Sequence, residues 1–288
     1  MKYRHVHHAG NFADVHKHTV LLALLQALQR KDKGLLYVDT HAGAGAYDLS
    51  SPEARRGAEA RHGVLALLSA EVRAPEILAY RDAVIAWRQA SGRTHGYPGS
   101  PLLIAQALRA QDRGLCCEWL PQECRALQGN LGGFRRMRVE CADGYQRLTA
   151  ALPPRERRAL ILIDPPYESP EQEMRDAIDA VAAALARLAN AVLALWYPIK
   201  DERWLARWQT RLTGALSVTA LRLELWLYPR DARAALNGSG LLVINPPYQF
   251  AERASQWQPE LAALLDERGL GGQAVNYLIE ESSRHEHA

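Results

Sequence analysis

From residue 98 onward the chain alternates short apolar runs with stretches of helical periodicity, and that alternation leaves few folds open. The apolar runs lie at Leu115 to Leu120, Met137 to Cys141, Ala159 to Ile163, Ala191 to Tyr197, Val218 to Leu227 and Gly240 to Ile244, all of strand length. Helical stretches at Leu102 to Arg109, Gln122 to Leu131, Tyr145 to Leu152, Glu171 to Leu188 and Glu202 to Leu212 separate them. An earlier strand is expected at Leu35 to Val38, behind an amphipathic helix over Asp14 to Leu28, and a last one at Gln273 to Ile279. Strand and helix in turn predict an α/β fold, a parallel sheet with helices on both faces. Ligands of such sheets sit at the carboxyl ends of the strands.

Four successive predicted strand ends offer a carboxylate: Asp39, Glu118, Asp143 and Asp164. Asp39 opens the loop Asp39-Thr40-His41-Ala42-Gly43-Ala44-Gly45, whose glycines let the backbone lie against a bulky ligand. An acid after the second strand suits the two donors of ribose hydroxyls, so Glu118 is a candidate ribose ligand. Asp143, followed by Gly144, can accept from an adenine amino group. Together these positions point to a nucleoside cofactor.

Asp164-Pro165-Pro166-Tyr167 directly follows the apolar run Ala159 to Ile163. The lone pair of an exocyclic amine on adenine is delocalised into the ring. It attacks a methyl donor only when acceptors hold the amine hydrogens. Asp164 and the Pro165 carbonyl can be those acceptors, because two prolines continue neither a helix nor a ladder and fix the loop. Tyr167 can stack on the base.

Residues 46 to 97 interrupt the pattern with about fifty residues of helical periodicity, too long for an ordinary connection. The reading is one α/β domain over 1–45 and 98–288 with an inserted helical subdomain at 46–97. The main domain resumes at Pro98-Gly99-Ser100-Pro101, with Ser100 expected as N-cap and Pro101 as first helical residue beside the glycine loop.

A chain of 288 residues, 48% of them hydrophobic, can bury a sizeable core. No stretch approaches the roughly 20 apolar residues of a membrane span, and the start, Met1-Lys2-Tyr3-Arg4-His5, shows no apolar leader, so a cytoplasmic protein without membrane partners is expected. Cys116, Cys117, Cys124 and Cys141 form no C-x-x-C pair and are expected as buried reduced thiols. The histidines at 5, 7, 8, 16, 18 and 41 come with no metal-ligand framework, so no metal is expected. A net charge of +3 neither requires nor excludes nucleic acid. Basic clusters at 30–33, 55–61, 135–138 and 155–158 would argue for it only if several flank one cleft.

The motifs together resemble an S-adenosylmethionine-dependent methyltransferase, with Asp39 to Gly45 as cofactor loop and Asp164 to Tyr167 as amine-methylation motif. His8-Ala9-Gly10-Asn11, Asp14, Lys17-His18-Thr19, Tyr97-Pro98-Gly99-Ser100-Pro101 and Leu195-Trp196-Tyr197-Pro198 narrow this, and the whole chain is similar to the RlmJ family. That family comprises bacterial methyltransferases acting on N6 of adenine 2030 in 23S ribosomal RNA. The resemblance implies a Rossmann-like class I methyltransferase sheet and S-adenosylmethionine as cofactor. It implies cofactor contacts from His18, His41, Gly43, Ser100, Glu118, Asp143, Gly144 and Asp164, and a catalytic part for Asp164, Pro165 and Tyr167. Tyr3 would meet the substrate, with His5, Lys17 and Tyr167 close by. The implied partner is 23S ribosomal RNA, with no obligate protein partner and a monomer expected. In the implied fold the seventh strand is antiparallel, so Asn245-Pro246-Pro247-Tyr248 is expected as a structural turn away from the cofactor. Two rival functions share the motifs: a DNA adenine N6-methyltransferase, and a noncatalytic RNA-binding protein that keeps the fold.

Overall fold

Five consecutive apolar residues, Ala159–Ile163, form β6 and are buried on both faces. Side chains alternate between faces along a strand. Thus Leu160 and Leu162 join the core on one side of the sheet, and Ala159, Ile161 and Ile163 the core on the other. The computed structural model describes residues 5–200, 202–232 and 236–280, with His5 described in its backbone alone.

β6 lies in the middle of an eight-stranded sheet. On one side stand β1 (Leu36–Asp39), β4 (Arg113–Cys117) and β5 (Met137–Glu140). On the other stand β7 (Val192–Ile199), β9 (Gly238–Ile244), β8 (Ala220–Trp226) and, at the edge, β10 (Gly272–Ile279). β5, β4, β1, β6 and β7 are parallel neighbours. β9 pairs antiparallel with β7 and β8, and β10 antiparallel with β8. The sheet is therefore mixed, where alternation alone predicts it wholly parallel. β8 and β9 run Ala220–Trp226 and Gly238–Ile244 with no helix among the described residues between them, so a return in the opposite direction is the short route.

Helices α7 (Gly144–Ala151), α8 (Pro170–Arg187) and α9 (Glu202–Ala215) cover one face. The other face is covered by α1 (Phe12–Gln29), α5 (Ser100–Ala107), α6 (Pro121–Leu131) and α10 (Phe250–Leu265), the last not anticipated from the periodicity. α1 is buried almost all round because the inserted helices pack on its outer side.

The stretch expected as an insertion has at its two ends a small antiparallel pair, β2 (Ala46–Asp48) and β3 (Gly96–Pro98), which the sequence reading treats as helical. Between them lie α2 (Pro52–Gly57), α3 (Val64–Ser69) and α4 (Pro75–Ser91). Val64, Leu67, Ile77, Tyr80 and Val84 are fully buried in the same core as α1. No helix among the described residues is long and apolar enough to cross a membrane.

Candidate active site

A cavity of about 1080 Å³ opens at the carboxyl edge of the sheet, lined by the loops after β1, β4, β5, β6 and β7, the start of α1 and part of the insertion. Lys17, His18, His41, Gly43, Ser100, Glu118, Asp143, Gly144, Asp164, Pro165 and Tyr167 all line it. Tyr3 and the His5 side chain lie outside the described residues.

Asp39 is fully buried beneath the glycine loop and does not line the cavity. Its carboxylate accepts from Tyr37 Oη at 2.8 Å, Ser100 Oγ at 2.7 Å and the His41 amide at 3.3 Å. Burial pushes this carboxyl up to about 6, those hydrogen bonds oppose the rise, and the Asp164 charge adds to it. Asp39 is thus a brace for the loop, and three of the four strand-end acids face the ligand space. Ser100 differs from expectation in a related way. Gly99 is the N-cap of α5, and Ser100 begins the helix with its hydroxyl spent on Asp39.

Gly43 has φ +60, and a Cβ there would lie 2.3 Å from Tyr47 Oη. Its amide donates to Glu118 Oε2 at 2.9 Å, and Glu118 Oε1 takes the Leu120 amide at 2.7 Å. Burial raises the Glu118 carboxyl, with the Leu120 and Gly43 amides opposing. Each oxygen keeps a lone pair for a further donor. Asp143 Oδ1 caps α7 through the amides of Tyr145 and Gln146. A Cβ on Gly144 would stand 1.9 Å from the Thr40 carbonyl oxygen, so only glycine lets these two loops meet. The Thr40 hydroxyl donates to the Leu162 carbonyl at 3.1 Å, so at its 2.8 Å contact with His41 Nδ1 it accepts. That leaves His41 Nε2 as an acceptor. Burial lowers His41 to about 4, with Asp164 and Asp143 opposing, so the ring is neutral at pH 7.

Across the cavity floor, Lys17 on α1 places its Nζ 2.6 Å from Asp164 Oδ2 and 2.9 Å from Asp14 Oδ1. Asn11 caps α1 by accepting from the Asp14 amide, and Asp14 also accepts from the Gly10 amide at 2.9 Å. The three-residue step from 14 to 17 stacks Asp14 and Lys17 on one helix face. Burial lowers the Lys17 ammonium, but Asp14 and Asp164 outweigh it and hold the group well above the ordinary lysine range. The Pro165 carbonyl accepts no hydrogen bond from any described residue. Tyr167 adopts φ +53 and donates from Oη to the Trp196 carbonyl at 2.6 Å. Its ring is 5.6 Å from that of Trp196 and 6.4 Å from that of Trp204, both edge-on. His18 lines the cavity with Nδ1 2.8 Å from Tyr97 Oη.

The cavity at the strand ends thus joins the glycine loop, Glu118, Asp143 and the Asp-Pro-Pro-Tyr turn. A profile described as "Ribosomal RNA large subunit methyltransferase D, RlmJ" matches residues 32–279. The chain belongs to this family. Proteins named ribosomal RNA large subunit methyltransferase J from Escherichia coli and Haemophilus influenzae are 38% and 36% identical to it. Each alignment covers 98% of this chain and all of the relative. A crystal structure of a Legionella pneumophila protein superposes with a TM-score of 0.82 at 32% identity, covering 93% of this chain and 98% of the other.

In this RlmJ-family chain the sequence reading missed several cavity residues. Asp14 and Trp196 stand in motifs quoted above but had no role; their signals are the 14-to-17 helical step and the contact with Tyr167. Trp119, 70% exposed, and Lys200, Tyr228 and Arg268 carried no signal in the sequence. Two basic clusters lie at the opposite edge: Arg158 donates to the Leu28 and Lys33 carbonyls, capping α1, as Arg109 does to the Gln29 and Lys31 carbonyls. Asn245 follows antiparallel β9 beside the start of β7, and its amide donates to the Ala189 and Ala191 carbonyls. Cys116 and Cys117 are free and buried, but Cys124 and Cys141 form a disulfide, contrary to expectation. Helix α6 and the end of β5 bring their Cα atoms to 5.6 Å, within bridging range. Among the described residues no three His, Cys, Asp or Glu side chains group as a metal site.

Proposed function

We propose that the chain methylates N6 of an adenine in 23S ribosomal RNA, the base at position 2030, with S-adenosylmethionine as donor. The observation that carries this reading is the juxtaposition of Asp164, held by Lys17, with a Pro165 carbonyl that takes no hydrogen bond from the described residues, in one cavity with Glu118 and Asp143. The donor set fits the cofactor: Glu118 suits the ribose hydroxyls, Asp143 the adenine amine, and the Gly43 and Gly144 backbones give close approach where a side chain would collide. His41 adds a neutral acceptor and His18 and Ser100 support the wall. Bound there, S-adenosylmethionine supplies a methyl group on a positively charged sulfur.

The chain's own part is at the amine. Asp164 and the Pro165 carbonyl accept the two N6 hydrogens and draw the lone pair out of the ring. The amine gains a methyl group and must lose one proton, which Asp164 takes and passes to solvent. Tyr167, fixed by Trp196 and Trp204, packs on the flipped base and offsets part of the few kcal/mol of unstacking. Charge is lost from the donor as the bond forms, so positioning and hydrogen bonding supply the catalysis. Lys17 acts through Asp164, and Tyr3 and His5 are assigned to the substrate side on resemblance alone. The insertion 46–97 contributes a wall of the cavity, and exposed Arg55, Arg56 and Arg61 are its RNA contacts; charge reversal there weakens RNA binding in a salt-dependent way. The protein acts as a monomer in the cytoplasm.

The test is methyl uptake from labelled donor into ribosomal RNA of cells lacking the protein, with duplex DNA in parallel and the modified nucleotide mapped. Label at one adenine N6 of the large-subunit RNA is expected. Label on DNA only, or on no polymer, overturns the reading.

A further inference from the structure

The cavity is not confined to the β1, β4 and β5 strand ends and continues to the other side of Asp164. There it is walled by Lys200 after β7, by Leu227 and Tyr228 after β8, and by the turn from α10 to β10 carrying Arg268. We infer that this second lobe is a subsite for an RNA nucleotide next to the target adenine, its base stacked at Tyr228 and its phosphate met by Arg268 and Lys200. The inference rests on the reading of Asp164 as the place where the target base is held.

Three observations carry it. The Arg268 guanidinium lies over the Tyr228 ring, 5.4 Å from its centre, which brings together the two kinds of flat group, an aromatic ring and a guanidinium, on which RNA readers stack bases. Neither Arg268 nor Lys200 pairs with a carboxylate among the described residues, whereas the acids around them are committed. Glu267 holds His62 at 2.9 Å, Glu59 holds His8 and Asn11, and Asp266 accepts the amides of Arg268 and Gly271. The lobe thus presents its cations to a ligand and keeps its anions turned to the protein. Its shape is also fixed. The His62–Glu267 pair ties the insertion to the turn, and Glu260 on α10 accepts the Arg73 and Ala74 amides ahead of α4. A preformed, cationic, aromatic recess beside a base-flipping site fits a neighbouring nucleotide, since extrusion of one base leaves its neighbours unstacked.

The experiment compares Tyr228→Ala, Tyr228→Phe and Arg268→Ala with wild type, measuring KM and kcat for a large-subunit RNA fragment that wild type methylates, and S-adenosylmethionine affinity by calorimetry. Tyr228→Ala is expected to raise the KM for RNA at least about tenfold, with kcat at saturating RNA and cofactor affinity within twofold of wild type. Tyr228→Phe keeps the ring and stays near wild type. Arg268→Ala, a change on an exposed side chain, raises KM and makes binding less steeply dependent on salt by about one phosphate contact. Unchanged KM in either alanine variant overturns the proposal, and so does a loss of cofactor affinity or of kcat matching the change in KM. If the wild-type protein methylates no adenine, it is the underlying reading that fails; wild-type transfer with an unaffected Tyr228→Ala removes the subsite alone.

Discussion

Replacing Lys17 by Met keeps the side-chain stem and removes the charge that stands between two carboxylates. The Lys17, Asp14 and Asp164 side chains are 6%, 3% and 16% exposed, so water screens them weakly. At an effective dielectric constant of about 20, contacts at 2.9 and 2.6 Å correspond to about 6 kcal/mol of attraction each. The cost of burying the charges offsets most of this. What truncation exposes is the uncompensated pair of acids, which costs about 3–5 kcal/mol of stability. Asp14 keeps the Gly10 amide, while Asp164 loses the side chain that hydrogen-bonds it. Urea unfolding followed by circular dichroism should show that loss. Single-turnover methyl transfer, read at a temperature where the variant is folded, should fall at least about tenfold, because Asp164 is no longer fixed toward the amine. Asp14→Asn on top of Lys17→Met removes one like charge and should restore about 1–2 kcal/mol, a coupling visible in the double-mutant cycle. A Lys17→Met protein within 1 kcal/mol of wild type and transferring at the wild-type rate refutes the reasoning.

Asp39 binds its proton more tightly in the folded chain, at about 6, than the ordinary carboxylate value near 4, so its contribution is full below about pH 4 and is lost as pH rises through 6. Asp39→Asn should therefore remove about 2 kcal/mol from the difference in unfolding free energy between pH 4 and pH 7; identical pH dependence in variant and wild type contradicts this. Gly144→Ala forces a Cβ against the Thr40 carbonyl and should cost about 2–4 kcal/mol and abolish calorimetric binding of S-adenosylmethionine; normal binding would show that the loops are not in contact. The Cys124–Cys141 bridge closes a separation of 17 residues, so Cys124→Ser should lose about 3 kcal/mol in oxidising buffer and nothing further on adding reductant; wild type insensitive to reductant counts against the bridge.

The strands were legible because each is a short apolar run, and the carboxyl-edge cavity follows from their order. Glu118, Asp143 and Asp164 could be nominated from their positions after those runs. The buried place of Asp39 could not, since the hydroxyls that hold it come from Tyr37 and from Ser100, sixty-one residues away. Nor could the Lys17–Asp164 pair, which joins residues 147 apart and depends on how α1 crosses the sheet. The small β2–β3 pair was hidden because three-residue strands leave no periodicity to read. α10 contains Pro259 yet remains a helix, a tertiary outcome that local propensity opposes. Whether the basic clusters at 30–33 and 155–158 flank the cleft was not legible in the sequence; the fold puts them at the opposite edge, where Arg158 caps α1.

The most direct measurement is a crystal structure of the chain soaked with S-adenosylhomocysteine. The account predicts the ribose on Glu118, the base at Asp143, and the sulfur facing Asp164 across a gap that one methyl group and an amine nitrogen fill. A sulfur lodged in the Tyr228 lobe, or turned away from Asp164, contradicts it.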